Sequence, residues 1–245
     1  MIGTNVAFCA GWTPSRSGEE PQRLLSCWLD SDKVFGEHTM PVVVVANPKG
    51  GVGKSTLSTQ LAGYWASKGH KVMLGDADRQ QSSRLWLSLR PQQAAPIATW
   101  KIGPDYIARP PEGTSHVVID TPAGLHGWRF SDVLRLADKL LIPVQPSIFD
   151  IYAAQDFLDK LAEDRKLKDL HIGLVGVRVD ERTRAADQLR GFFSRLPLPL
   201  LAMLRPTTAY AHMAAHGLTL WDVNPHHAEK DLQQWEGITR WADSP

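Results

Sequence analysis

Cysteine is almost missing from the 245 residues. Only Cys9 and Cys27 occur, separated by a Pro/Ser/Gly-rich stretch and without metal-ligand company. That excludes a disulfide scaffold and a cysteine-ligated cluster, and makes a reducing cytoplasmic setting the expectation. No apolar run approaches the ~20 residues a membrane-spanning helix needs. The opening segment Met1–Cys9 has neither a basic n-region nor a long apolar core, so no secretory signal is expected. Charge of one sign is not in excess either. The formal net charge is +1, so any attraction to nucleic acid must come from a local patch. There is no internal repeat. What remains, 43% apolar and 22% charged residues, fits one large α/β domain.

The stretch around which the chain is organised is Asn47-Pro-Lys-Gly-Gly-Val-Gly-Lys-Ser-Thr56. It follows the apolar run Met40–Ala46 and precedes a helix-like segment, Leu57–Ser67. That is the strand, turn and helix context a phosphate-binding loop requires. Gly50, Gly51 and Gly53 let the backbone curl close to an anion, and the amides around Val52 and Thr56 add positive dipole. Lys54 supplies a point charge to the terminal phosphates, and Ser55 offers its hydroxyl to a magnesium ion.

Residues 1–39 read as an extension, turn-like over Thr13–Pro21 with a short amphipathic helix at Arg23–Asp30. From residue 40 to 245 a single P-loop domain is expected. Its strands are Val42–Ala46, Lys71–Gly75, a weak candidate at Ile97–Trp100, His116–Asp120, Lys139–Val144, His171–Val179 and Leu198–Met203. Helices are expected over Ser82–Leu89, Trp128–Ala137, Ile151–Arg165, Thr183–Leu196, Thr207–His216 and His226–Trp241, while residues 91–115 give little pattern. Alternation of this kind predicts a doubly wound, mostly parallel sheet of six to eight strands with helices on both faces.

Three acidic groups stand at strand ends, where ligands of open α/β sheets bind. Asp120 suits a magnesium ion held through water. Asp76 and Asp78 are two residues apart, so on extended backbone they point the same way. Asp76 is assigned toward magnesium and Asp78 toward the attacking water; the plainer role for either is capping the helix that follows. Lys49 is the oddity. A loop residue there does not wrap readily onto its own terminal phosphate, but it can reach across a dimer interface to a partner's nucleotide.

With those residues in view, the chain resembles the ParA/MinD family of deviant Walker-type ATPases. The resemblance rests on Lys49-Gly-Gly-Val-Gly-Lys-Ser-Thr56, Asp76-Ala-Asp-Arg-Gln80 and Asp120-Thr-Pro-Ala-Gly124, and covers about residues 41–225. It looks most like the small, ParF-like branch and its orphan cargo-positioning relatives. The family's signature lysine falls on Lys49, its switch I aspartate on Asp78 and its switch II aspartate on Asp120. Arg79 stands where the family usually has proline. Arg205-Pro206 resembles the family's segment beside the adenine. The resemblance implies ATP and Mg2+ as cofactors and slow ATP hydrolysis. It also implies a homodimer formed on ATP binding, non-specific double-stranded DNA as a surface, and a ParB-like or small basic, disordered partner that stimulates turnover. The ATP-bound form would then be nucleoid-associated.

Between Arg178 and Arg205 lie Arg178, Arg182, Arg184, Arg190, Arg195 and Arg205 against Asp180, Glu181 and Asp187, a local excess of +3. The first five are the DNA-binding candidates. The tail carries Glu229, Lys230, Asp231, Glu236, Arg240 and Asp243, net −2, and its Leu232, Trp235 and Ile238 read as a packing stripe, so membrane binding is not expected. An ATP-dependent scaffold that works through a protein partner without DNA is the alternative. A metabolic P-loop phosphotransferase is disfavoured, because no acceptor pocket can be read from the sequence.

Overall fold

The computed structural model describes residues 40–245, except 79, 100–109, 125–127, 165–166 and 168 and the side chains of 128–130. The expectations for residues 1–39 and for Arg79 therefore lie outside the described residues.

Seven strands follow one another as β1 Val42–Val45, β2 Val72–Asp76, β3 Ile97–Ala98, β4 His116–Asp120, β5 Lys139–Val144, β6 His171–Gly176 and β7 Leu200–Met203. They form one sheet in the order β3-β2-β4-β1-β5-β6-β7, and every neighbouring pair is parallel. The helices are α1 Lys54–Ser67, α2 Ser82–Leu89, α3 Trp128–Arg135, α4 Ile148–Glu163, α5 Arg184–Phe193, α6 Ala209–Ala214 and α7 Pro225–Asp243.

Both faces of the sheet are covered, which is why β1 can be four consecutive valines. Val42 and Val44 pack with Val133 of α3, Leu158 of α4 and Leu189 of α5. Val43 and Val45 face the other way, onto Leu61 and Trp65 of α1 and Trp235 and Ile238 of α7. Trp235 and Ile238 are fully buried, so the tail's apolar stripe is spent on the sheet. Among the described residues no helix is long and apolar enough to cross a membrane.

Element ends differ from expectation where a backbone feature intervenes. The β6 strand stops at Gly176 because Arg178 adopts a left-handed φ of 55°. Thr183 is not helical but caps α5, its Oγ1 accepting from Ala186 N at 3.2 Å. The helix expected over Thr207–His216 shrinks to Ala209–Ala214, ended by Gly217 at φ 65°.

Helix α7 is held at its end by charges from the sheet and from α1. Asp243 accepts from Tyr64 Oη (2.7 Å), Trp65 Nε1 (2.9 Å) and Lys68 Nζ (2.8 Å). Burial raises its pKa, but these three donors outweigh it and hold the carboxyl below its usual range. Buried Lys139 caps the last carbonyls of α7 at Trp241, Ala242 and Ser244. Midway along, α7 lies so close to β7 that a Cβ on Gly237 would sit 2.0 Å from the Leu201 carbonyl oxygen. Gly237→Ala should therefore destabilise the fold by about 1–3 kcal/mol, since overpacking against backbone exceeds the gain of ~1 kcal/mol in helix propensity. Thermal denaturation checks this; an unchanged or higher melting temperature would show that α7 can move off the sheet at no cost.

Candidate phosphate site

The site forms at the carboxyl ends of β1, β2 and β4, where the chain order reverses beside β1. Register aligns the three ends: Val45 pairs with Asp120, and Asp76 pairs with Asp120. The loop from Asn47 to Gly53 leaves β1 and turns into α1. Asn47 is buried and shapes both sides of the turn, donating to the Pro143 carbonyl at 2.7 Å and accepting from Lys49 N at 2.8 Å. Gly51 and Gly53 have φ of 73° and 86°, a region closed to side chains, whereas Gly50 meets only ordinary contact from Ala123. Gly53 is the residue before α1, so the first free amides of a 14-residue helix open onto the loop. Val52 is buried; Ser55 and Thr56 are half-buried at the start of that helix.

Lys54 is 7% exposed, and its Nζ donates to the Lys49 carbonyl at 2.8 Å. Burial lowers its pKa, partly countered by the charges of Asp120 and Asp78. A desolvated ammonium ringed by amides and held over a loop carbonyl is a site for an anion. Lys49 is half-buried at the entry to the glycine run.

The carboxylates fall into two kinds. Asp76 is buried, and its two oxygens accept from Asp78 N and Arg84 N at 3.0 Å each. It therefore satisfies an orphan amide of α2, the capping role weighed against magnesium in the sequence. Burial nevertheless raises its pKa. Asp78 is half-buried, with Oδ1 accepting from Gln80 N at 3.0 Å. Asp120 is fully buried, and burial pushes its carboxyl up to about 6 despite the opposing pull of the Ser83 and Ser55 hydroxyls. Ser83 Oγ donates to Oδ2 at 2.6 Å, while the buried Oδ1 has no partner.

An orphaned carboxylate oxygen beside the Ser55 hydroxyl fits a magnesium ion completed by phosphate and water, as such ions need few protein ligands. Among the described residues no group of three or more His, Cys, Asp or Glu could hold a metal without such help. His212 and His216 lie ring against tilted ring at 5.0 Å, and His216 Nδ1 is 2.9 Å from the His212 carbonyl oxygen.

Two loops tie the site together. Thr121 Oγ1 donates to the Val45 carbonyl at 2.8 Å, and Gly124 N donates to the Pro48 carbonyl at 3.0 Å. Ser83 gave no sequence signal, because serine in a polar Ser82-Ser83-Arg84 run reads as a helix start. Its full burial is what marks it.

The arginines scatter. Arg178 donates to the Gly51 carbonyl at 3.2 Å, at the phosphate loop. Arg205 is bound by Asp231 of α7 through two hydrogen bonds of 2.8 and 2.9 Å, with exposed Pro206 beside it. Arg182 pairs with Asp180 at 2.9 Å, and Arg190 with Asp187 at 3.1 Å and Glu181 at 3.7 Å. Arg184 and Arg195 are exposed. With Arg205 neutralised by Asp231, five arginines face three acids, so the local excess falls from +3 to +2, and Arg178 carries its share of it at the phosphate loop.

Comparison with known proteins is consistent across sequence and fold. Residues 43–220 match the CobQ/CobB/MinD/ParA nucleotide binding domain. The chain is 36% identical over 200 residues to the maintenance of carboxysome distribution protein A of Gloeobacter kilaueensis, spanning 79% of this chain and 91% of that protein. Its fold is similar to the MinD cell division protein of Aquifex aeolicus, with a TM-score of 0.63 at 18% identity over 84% of this chain and 98% of that one. It is also similar to the septum site-determining protein MinD of Pyrococcus horikoshii complexed with Mg-ADP, with a TM-score of 0.63 at 17% identity over 84% and 97% of the two chains.

Proposed function

The chain belongs to the CobQ/CobB/MinD/ParA nucleotide-binding family, and from that premise we propose that it is an ATPase whose nucleotide state positions or segregates a cargo through a protein partner. The observation that carries this reading is the meeting of Lys54, Ser55 and the orphaned oxygen of Asp120 at one sheet edge. A triphosphate bound there meets the α1 amides, with Lys54 on its terminal oxygens. Ser55 and Asp120 would hold a magnesium ion, which would supply positive charge against the phosphoryl oxygens. Asp78 orders a water for in-line attack on the γ-phosphorus; the bond to the β-phosphate oxygen breaks, leaving ADP and inorganic phosphate. Turnover is slow until a partner completes the site.

Lys49 acts between protomers: two chains close face to face on ATP, and each lends this cation to its partner's triphosphate. The dimer presents a composite surface that neither monomer has, and the stimulating protein reads that surface. Similarity to a carboxysome distribution protein supports a large body as cargo, and the short site motifs support the small, ParF-like branch.

Non-specific DNA is a second reading, favoured by exposed Arg184 and Arg195, which double in a dimer. Co-sedimentation with ATP, ADP and no nucleotide tests it: ATP-dependent, salt-sensitive pelleting supports a DNA track, and its absence alongside intact dimerisation supports the scaffold alone. For the switch itself, Asp78→Ala should lower hydrolysis by about 100-fold while leaving ATP-dependent dimers on a sizing column. Lys49→Gln should lose both. If neither variant changes turnover or assembly, these roles are wrong.

A further inference from the structure

Arg178 follows β6, where the sequence counts it among arginines available to DNA. Its backbone is left-handed at φ 55°, one of only two such non-glycine residues among those described. That geometry is unfavourable for a side-chain-bearing residue and persists only where the surroundings impose it. It turns the chain at the site edge of the sheet, and the guanidinium reaches the Gly51 carbonyl, 127 residues away in sequence, at 3.2 Å. Gln145, at the end of neighbouring β5, donates to the same oxygen through Nε2 at 3.0 Å.

Two donors on one loop carbonyl fix more than that oxygen. In a trans peptide the C=O and the next N–H point in opposite directions. Holding the Gly51 carbonyl toward β5 and β6 therefore aims the Val52 amide away from them. Gly51 at φ 73° has no Cβ to resist either orientation of this peptide, so the loop needs an external constraint. We infer that Arg178, with Gln145, is a positioning residue of the nucleotide site, setting the Gly51–Val52 peptide so that its N–H is preorganised to donate to phosphate. The inference rests on the nucleotide-binding reading above, and removes Arg178 from the DNA-binding set. Because the β5 and β6 ends make these contacts, a nucleotide that shifts the loop also shifts the segments that begin α4 and lead into α5.

The test is equilibrium binding of a fluorescent ATP analogue with Mg2+ to the full chain, with DNA co-sedimentation on the same preparations. Arg178→Ala should weaken analogue binding about ten- to a hundred-fold, the span of a lost hydrogen bond to a charged donor. Arg178→Gln keeps an N–H donor without charge and should recover most of that loss. Arg178→Ala combined with Gln145→Ala should fall short of the product of the single effects, since both act on one oxygen. Faster hydrogen exchange at the Val52 amide in Arg178→Ala, with melting temperature held, separates positioning from general destabilisation. The inference is overturned if analogue affinity is unchanged in Arg178→Ala, or if alanine and glutamine are equally deficient. Failure of the wild-type chain to bind the analogue would instead sink the nucleotide reading.

Discussion

Replacing Lys54 by alanine should leave a folded protein that no longer retains ATP. The ammonium is buried, its pKa is lowered by desolvation, and in the free chain its hydrogen bond is to the Lys49 carbonyl. Removing it takes an unfavourable buried charge out of the interior, offset by the attraction it loses to Asp120 and Asp78. The melting temperature should therefore shift by only a few degrees. Binding is different, because a phosphate enters the same desolvated space and meets no replacement cation. Truncating one member of a buried hydrogen-bonded charge pair costs about 2–5 kcal/mol, which is an affinity loss of roughly thirty-fold or more. Titration with a fluorescent ATP analogue reads it. Affinity within about threefold of wild type would mean that phosphate does not sit where Lys54 points.

Asp120→Asn should do something rarer: stabilise the empty protein while stopping magnesium-dependent hydrolysis. Burial lifts the folded carboxyl to about 6, against an ordinary 3.8. The group's contribution is thus most favourable below pH 3.8 and is lost as pH rises through 6, where the interior must hold a charge. That difference is worth on the order of 3 kcal/mol. Asparagine removes the charge but leaves an amide hydrogen unpaired at the Oδ1 position, which returns about 1–2 kcal/mol of the gain. A net increase of several degrees in melting temperature is expected at pH 7.5, shrinking to zero at about pH 5 and reversing below it. His116 titrates oppositely: half-buried against Trp65 and His70, its imidazole is pushed down to about 4, so its contribution is full above pH 6.5 and fades as pH falls. Both proteins carry it, so the difference between their pH curves isolates Asp120. Saturating Mg-ATP should reverse the ranking, because only wild type gains ligand stabilisation. A variant less stable than wild type at pH 7.5 would mean that the buried charge is already compensated.

The phosphate loop was legible because its chemistry is local. Glycines, lysine and serine lie within ten residues, and the valine run before them can only be a strand buried on both faces. The seven-stranded parallel sheet followed from the same alternation. What sequence could not supply was pairing over distance. Arg178 and Gly51 are 127 residues apart, Arg205 and Asp231 are 26, and Ser83 and Asp120 are 37. Counting charge along the chain put Arg178 and Arg205 with their sequence neighbours, while each is engaged by a group from another element. Asp76 was read toward magnesium because it ends a strand; its two engaged oxygens also make it the fastener of α2.

That fastening has a mechanical corollary. At its far end α2 runs into Arg90, whose guanidinium is bound by Asp222 at 2.9 and 3.0 Å in a pair buried to 6% and 5% exposure, with a third link to the Gly217 carbonyl. At its near end it hangs from Asp120 through the Ser83 hydroxyl. A rod pinned at one end by a buried ion pair and at the other by Asp76 and Asp120 is fixed at both ends, and its near fastening is shared with the phosphate site. The outward flank carries Leu85 and Leu89, 64% and 47% exposed. Those two leucines are therefore held in a set place relative to the phosphate site, and a dye attached at position 85 would report a change at that fastening without touching the chemistry.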